Sequence, residues 1–377
     1  MTTSRADYGV YLPLLRRIRD DPGLDLHLIV SGMHLSPEFG YTLKAIEDDG
    51  FQIRERIEML LSSDTPEGIA KSVGMGVMGF AQCFARMGPD ILLVLGDRFE
   101  MYSAAVAAVP FNFPIGHIAG GSVTVGAIDD VYRHSMTKIS HFHFAETETY
   151  KRRIIQMGEQ PERVFVTGAL GLDNMKKLSL ISWEELAGRY ELAPNPRPLL
   201  VTFHPVTRDH GSTEEQTGEL IAALTQLGLP VVFTYPNADT NGRIIIRMIE
   251  DFAAVNEHIH VVTNLSTIDY LSFMKHASAM VGNSSSGIVE APSFKLPVVN
   301  IGIRQQGRIM PENVINVGHL SEEISDGIRR AVSTEFQDGL RDLVNPFGDG
   351  HASERIVDAL KKVPIRGDLL GKVFFDN

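Results

Sequence analysis

The chain has 377 residues, 44% of them hydrophobic, and its length favours two or more domains with sizeable cores. Its formal net charge of -12 argues against nucleic acid as a general partner, because no basic excess exists to neutralise a phosphate backbone. The single cysteine, Cys83, excludes an internal disulfide framework and fits a reducing cytosol.

Taken in chain order, "TTSRADYG" reads as the loop after a first strand, leading into the helix of "VYLPLLRRI". Only Met1 stands before that loop, so the strand itself is expected upstream. "LDLHLIV" (24 to 30), "DILLVLG" (90 to 96), "FPIGHIAG" (113 to 120) and "HFHFAET" (141 to 147) read as strands. "EGIAKSVGMGVMGFAQCFARM" and "EMYSAAVAAVPF" supply helices between them, and Cys83 on the first reads as a buried small hydrophobe. Residues 169 to 198 end in a Pro-rich stretch and fall between two sets of strands. The second set is "PLLVTFHP" (198 to 205), "PVVFTYPN" (230 to 237), "IHVVTN" (259 to 264), "SAMVGNS" (278 to 284) and "PVVNIG" (297 to 302).

Apolar strands that do not alternate, separated by helices, indicate parallel sheets covered on both faces. The prediction is an α/β chain of two doubly wound domains with a cleft between them. Open sheets of this kind bind ligands at the carboxyl ends of their strands. Asp97 and Arg98, the pair Gly120-Gly121, His204, Asn237 and Ser284 all stand at such ends. No apolar run approaches a membrane span and "MTTSRADYGV" has no signal-peptide core, so a cytoplasmic protein without a membrane partner is expected.

The stretch "GNSSSGIVEAPSF" (282 to 294) sets three serines between glycines ahead of a helical turn. One serine suffices as an N-cap. Three beside Gly282 and Gly287 suit an anion site equally well, where backbone N–H groups and hydroxyls converge on phosphate. Asp97 in "LGDRFE" and the pair Asp129-Asp130 in "GAIDD" are either helix caps or acid–base groups. The histidines at 117, 134, 141 and 143 match no standard ligand spacing and have no cysteine near, so no metal is expected.

Across nearly its whole length the chain resembles the UDP-N-acetylglucosamine 2-epimerases, especially the hydrolysing branch serving sialic and related nonulosonic acid pathways. The motifs that carry the resemblance are "SRADYG", "GDRFE", "GAIDDVYRHSMTKISHFHF", "GALGLDN", "TFHP", "TYPNAD", "GNSSSGIVEAP" and "VNIGIRQQGR". The resemblance implies a GT-B fold of two Rossmann-like domains, over residues 1–172 and 173–350. It also implies a final helix, within 351–377, that crosses back to the first domain. It places pyrophosphate on Ser284 and Ser285, ribose hydroxyls on Glu290 and a further phosphate contact on Arg304. Arg5 and Arg98 become the first domain's cations, since a guanidinium fork suits phosphate. Asn237, His117 and His134 join the substrate-binding set, and Asp97, Asp129, Asp130 and His204 the catalytic one. No cofactor is implied, and a homo-oligomer, dimer or tetramer, is.

The implied reaction converts UDP-GlcNAc and water to N-acetylmannosamine and UDP through a 2-acetamidoglucal. That route needs at least two acid–base groups, and desolvated carboxylates can serve near neutrality. This chain has Ala119, Ser122 and Val125 at places where many relatives carry acids, so His117 or His134 could complete the proton relay. The same chemistry on UDP-N,N'-diacetylbacillosamine is an alternative substrate reading. A GT-B glycosyltransferase, or a UDP-sugar-binding protein with weakened chemistry, is an alternative class.

Overall fold

Uninterrupted apolar runs become parallel strands here because helices cover both faces of each sheet. The computed structural model describes residues 1–36, 41–61, 65–124, 128–205, 213–236, 242–262, 265–363 and 370–376. The chain divides into two units: Met1–Lys176 with Phe347–Asn377, and Lys177–Pro346.

In the first unit β1 (Leu28–Ser31) pairs with β2 (Ile53–Ile57). A separate sheet runs β3 (Leu92–Leu95), β4 (Ile115–Ile118), β5 (Phe142–Ala145), β6 (Val164–Val166), all parallel. Residues 1–3 reach both pieces. Thr2 bridges Val30, with its N–H donating to the Ile29 carbonyl at 3.0 Å, while the Met1 amino group donates to the Leu93 carbonyl at 3.3 Å. Helix Arg5–Asp20 follows directly, started by a capping box between Ser4 and Asp7.

The second unit holds β7 (Leu199–Thr202), β8 (Val231–Thr234), β9 (Ile259–Val262), β10 (Ala279–Gly282), β11 (Val298–Ile301) and β12 (Val314–Val317). Their spatial order is β12-β11-β10-β7-β8-β9, all parallel, so strand order reverses between β7 and β10. That reversal is where a doubly wound sheet opens a crevice for a ligand. The four strands β7, β8, β10 and β11 are almost wholly buried, which accounts for their mainly apolar sequences. Three strands went unread in the sequence, β2, β6 and β12. The stretch 169 to 198 folds into two short helices, Gly171–Lys177 and Trp183–Arg189. Cys83 is fully buried, and burial pushes its thiol up to about 11, as suits a packing residue.

The last described segments complete the first unit. Helix Ala352–Lys362 lies against helix Arg5–Asp20, with Arg17 3.6 Å from Glu354 and Lys361 3.0 Å from Asp21. Lys372 donates to the Lys138 and Ser140 carbonyls at 2.6 and 2.7 Å, at the carboxyl end of helix Asp129–Ile139. It also meets Glu159 at 2.7 Å. Glu159 is 1% exposed and takes Lys138 at 2.6 Å and His143 at 3.0 Å as well. Burial alone would raise its carboxyl, but the bonds from His143, Lys138 and Lys372 outweigh burial and bring it down to about 2. A carboxyl depressed from its ordinary 4.5 contributes stability above that pH, lost as pH falls toward about 2. Glu159→Gln is therefore expected to lower unfolding free energy by about 3–5 kcal/mol at pH 7. The difference from the parent protein should shrink in denaturant titrations as pH falls below about 4.5. An equal difference at pH 7 and pH 3 would contradict the ionic account.

Candidate functional site

In the first unit the acidic motifs converge on one arginine that the sequence reading missed. Gly96, with φ of 75°, turns the chain out of β3 and presents Asp97. The residue capping the next helix, Phe99–Ala108, is Arg98, so Asp97 is not a helix cap. The Asp97 carboxylate instead meets Arg133 Nη2, and Arg133 Nη1 meets Asp130. Arg133 is only 3% exposed and also donates to the Ser122 carbonyl at 3.1 Å and the Thr124 hydroxyl at 3.2 Å. Asp130 further accepts the Thr124 N–H at 3.0 Å. Asp129 and Asp130 open helix Asp129–Ile139, whose N-cap is Ile128, so neither is the cap residue. The one local signal for Arg133 was its position three residues after Asp130, the spacing of a helical ion pair.

Asp129 differs from its neighbours. Burial raises its carboxyl, the Asp97 charge raises it further, and Arg98 and Arg133 act in the opposite direction. Its carboxyl is thus better able to hold a proton than an ordinary aspartate.

Several expected ligands are placed otherwise. His117 is fully buried on β4, with Nε2 2.8 Å from the Gly96 carbonyl and Nδ1 3.2 Å from the Thr137 hydroxyl. Burial brings it down to about 3, and both ring nitrogens are engaged within the protein, where they brace the turn before Asp97. Arg98 forks onto the buried Glu100 at 3.1 and 2.7 Å, so the fork expected on phosphate is engaged within the protein. Arg5 is an exposed first-turn residue of helix Arg5–Asp20, without an ion pair among the described residues. His134 is half-buried, 3.8 Å from Asp130, and lowered chiefly by burial. His141 accepts the Ile115 N–H at 3.2 Å and His143 belongs to the Glu159 cluster. Among the described residues no three His, Cys, Asp or Glu side chains converge as a metal site.

In the second unit the expected residues gather at the reversal between β7 and β10. Gly282 ends β10 with φ of 133°, and a Cβ there would lie 1.9 Å from the Thr202 carbonyl oxygen of β7. Asn283 and the serines follow. Ser284 Oγ accepts the Ser286 N–H at 3.3 Å, whereas Ser285 makes no side-chain cap bond to helix Ser286–Val289. One hydroxyl thus does the capping. Tyr270, unread in the sequence, brings its phenol within hydrogen-bonding reach of Ser286, Thr202 and Ser284, beside the Glu290 carboxylate. Glu290 itself stands where that helix passes into the 3-10 turn Ala291–Phe294. Arg304 donates to the Asn283 carbonyl at 3.1 Å. His204, 5% exposed after β7, is brought down to about 4 by burial first and by the Arg304 charge second, so its imidazole is neutral at pH 7. Asn237 and Val125 lie outside the described residues.

Residues 16–361 match the family described as UDP-N-acetylglucosamine 2-epimerase. The chain is 35% identical, over 99% of its length and 97% of the relative's, to a hydrolysing UDP-N,N'-diacetylbacillosamine 2-epimerase of Legionella pneumophila. It is 36% identical, over its full length and 98% of the relative's, to a hydrolysing GDP/UDP-N,N'-diacetylbacillosamine 2-epimerase of Campylobacter jejuni. It is also 35% identical, over 96% of its length and 92% of the relative's, to an Escherichia coli polysialic acid biosynthesis protein. Among solved structures, UDP-GlcNAc 2-epimerase from Neisseria meningitidis bound to UDP-GlcNAc superposes with a TM-score of 0.81 at 18% identity. That match covers 96% of this chain and 98% of the other.

Proposed function

Because the chain belongs to the UDP-N-acetylglucosamine 2-epimerase family, with its GT-B arrangement of two Rossmann-like domains, we propose that it is a hydrolysing 2-epimerase of a UDP-linked 2-acetamido sugar. The observation that carries this reading is the carboxylate group of the first unit. Asp129 is pushed up by burial and by Asp97, while Asp97 and Asp130 are tied to Arg133. Acid and base roles need carboxyls whose environments differ in this way.

In the proposed reaction a carboxylate removes the proton from C2 while the C1–O bond breaks and UDP departs, leaving a 2-acetamidoglucal. Water then adds its hydroxyl to C1, and a proton returns to C2 on the opposite face, releasing the free manno-configured sugar. The leaving diphosphate is assigned to the serine turn with Ser284 and Ser285 and to Arg304, the ribose to Glu290, and the proton traffic to Asp97 and Asp129. Neutral His204 is assigned a place beside the departing phosphate, kept uncharged by burial first and by the Arg304 charge second. The two relatives named for N,N'-diacetylbacillosamine support that sugar as the second reading beside GlcNAc.

The test is to incubate the protein in deuterated water with UDP-GlcNAc and, separately, with UDP-N,N'-diacetylbacillosamine. Free 2-epimerised sugar carrying one deuterium at C2, with an equal amount of UDP, is expected from at least one of them. A UDP-linked epimer without free sugar would overturn the hydrolytic reading, and turnover of neither would leave a binding protein. Glu290→Gln should weaken UDP binding tenfold or more in calorimetry, since a hydrogen bond to a charged group contributes about 1.5–3 kcal/mol. Unchanged affinity would make Glu290 a purely local residue of its helical turn.

A further inference from the structure

His204 stands in the segment after β7, yet one side chain holds its backbone on both sides. Asn283 Oδ1 accepts the His204 N–H at 2.7 Å, and Asn283 Nδ2 donates to the His204 carbonyl at 2.8 Å. The backbone of the same residue ties two further segments. Its carbonyl accepts Arg304 Nη1 at 3.1 Å and Gln305 Nε2 at 2.8 Å, and its N–H donates to the Thr202 carbonyl at 3.2 Å. Asn283 is completely buried, and Gln305 is 2% exposed.

A residue that merely filled space at the end of β10 would need neither a donor nor an acceptor. Leucine has the volume without polar atoms, aspartate could only accept, and only an amide of this length offers both at once. Buried donors and acceptors left unmatched are costly, so the reciprocal pair fixes the path of the chain at His204. The Arg304 guanidinium, held against the Asn283 carbonyl, is also the charge that acts on the His204 ring.

We propose that Asn283 is a positioning residue, which sets the His204 imidazole and the Arg304–Gln305 segment as one unit toward the diphosphate of a nucleotide sugar. This rests on the reading above for its ligand, but not for its geometry. Loosening Asn283 should release the ring from its buried setting and separate it from Arg304.

The experiment compares the full chain with Asn283→Leu, which keeps volume and loses both bonds, and Asn283→Ser, a smaller neutral residue whose hydroxyl falls short of the bridging amide. The ring signals of His204 are followed by NMR against pH, identified by their absence in His204→Gln. In both variants the titration is expected to move up from about 4 toward the ordinary 6.5. With UDP-sugar, kcat should fall tenfold or more while KM changes by less than about threefold. The serine variant decides the matter if the leucine variant does not fold. An unmoved His204 titration, with kcat within about twofold of the parent and only a lower melting temperature, would overturn the proposal. If the parent protein turns over no UDP-sugar, the proposed function fails, while the NMR comparison still decides whether Asn283 holds His204.

Discussion

Asp97→Asn is expected to reduce UDP release by at least about 100-fold while leaving UDP affinity within about twofold, because positioned acid–base groups contribute roughly 10²–10⁴ in rate. The amide retains the size of the carboxyl and a carbonyl oxygen that can accept from Arg133, so the buried guanidinium keeps a neutral partner. What the variant loses is the ability to take up and return a proton. It also removes the Asp97 charge, which after burial raises Asp129, so that carboxyl should titrate lower than in the parent. Turnover by release of UDP, affinity by calorimetry and the melting temperature together separate the possible outcomes. If UDP affinity disappears along with activity, Asp97 is a nucleotide ligand or a structural residue, and its assignment to proton transfer is wrong.

Gly282→Ala should have the largest effect on folding. Gly282 pairs with Thr202 across the junction of β10 and β7, and the added Cβ would meet a backbone oxygen at 1.9 Å, an atom that cannot move unless the strands part. Its φ of 133° adds conformational strain for any residue with a side chain. Overpacking of about 1–3 kcal/mol and strain of about 1–2 kcal/mol together approach the lower part of a domain's stability, roughly 5–15 kcal/mol. A melting point lower by about 10 °C, or an insoluble product, is the expected result. Gly50→Ala serves as the control, because Gly50 has φ of 77° but open space where the Cβ would sit. If the two variants melt together, the close approach at Thr202 has been relieved by the chain, and the steric argument falls.

Legibility in the sequence followed burial. The strands β7, β8, β10 and β11 were readable because both their faces are covered, so nearly every position is apolar, Thr202, Thr234 and Asn300 excepted. "IRERI" of β2 hid its strand because it belongs to a two-stranded sheet, where three charged residues stand between its isoleucines and both arginines are exposed. "VFV" of β6 is too short for periodicity to register. At the site, the turns were legible because glycine, serine and aspartate at strand ends have few other uses. The complete burial of His117 was hidden for the opposite reason. An imidazole's burial depends on β3 and β5 beside it, and nothing in "PIGHIAG" records them. Arg133, Tyr270 and Asn283 were overlooked because their partners lie far along the chain, such as Asp97 for Arg133 and His204 for Asn283.

The first unit is discontinuous, and this has a bearing on the order in which the protein is made. Domains emerging from a ribosome generally fold as units, the amino-terminal one first. Here residues 1–176 leave the exit tunnel without helix Ala352–Lys362 to cover helix Arg5–Asp20, and without Lys372 to join Lys138 and His143 on Glu159. All of Lys177–Pro346 is synthesised before those pieces arrive, so the inserted unit can close first. During that interval the nascent amino-terminal portion holds a buried carboxylate short of one cation and an apolar helix face without its cover. The helix that bears Asp129, Asp130 and Arg133 therefore acquires its Lys372 anchorage only after the whole inserted unit has been synthesised.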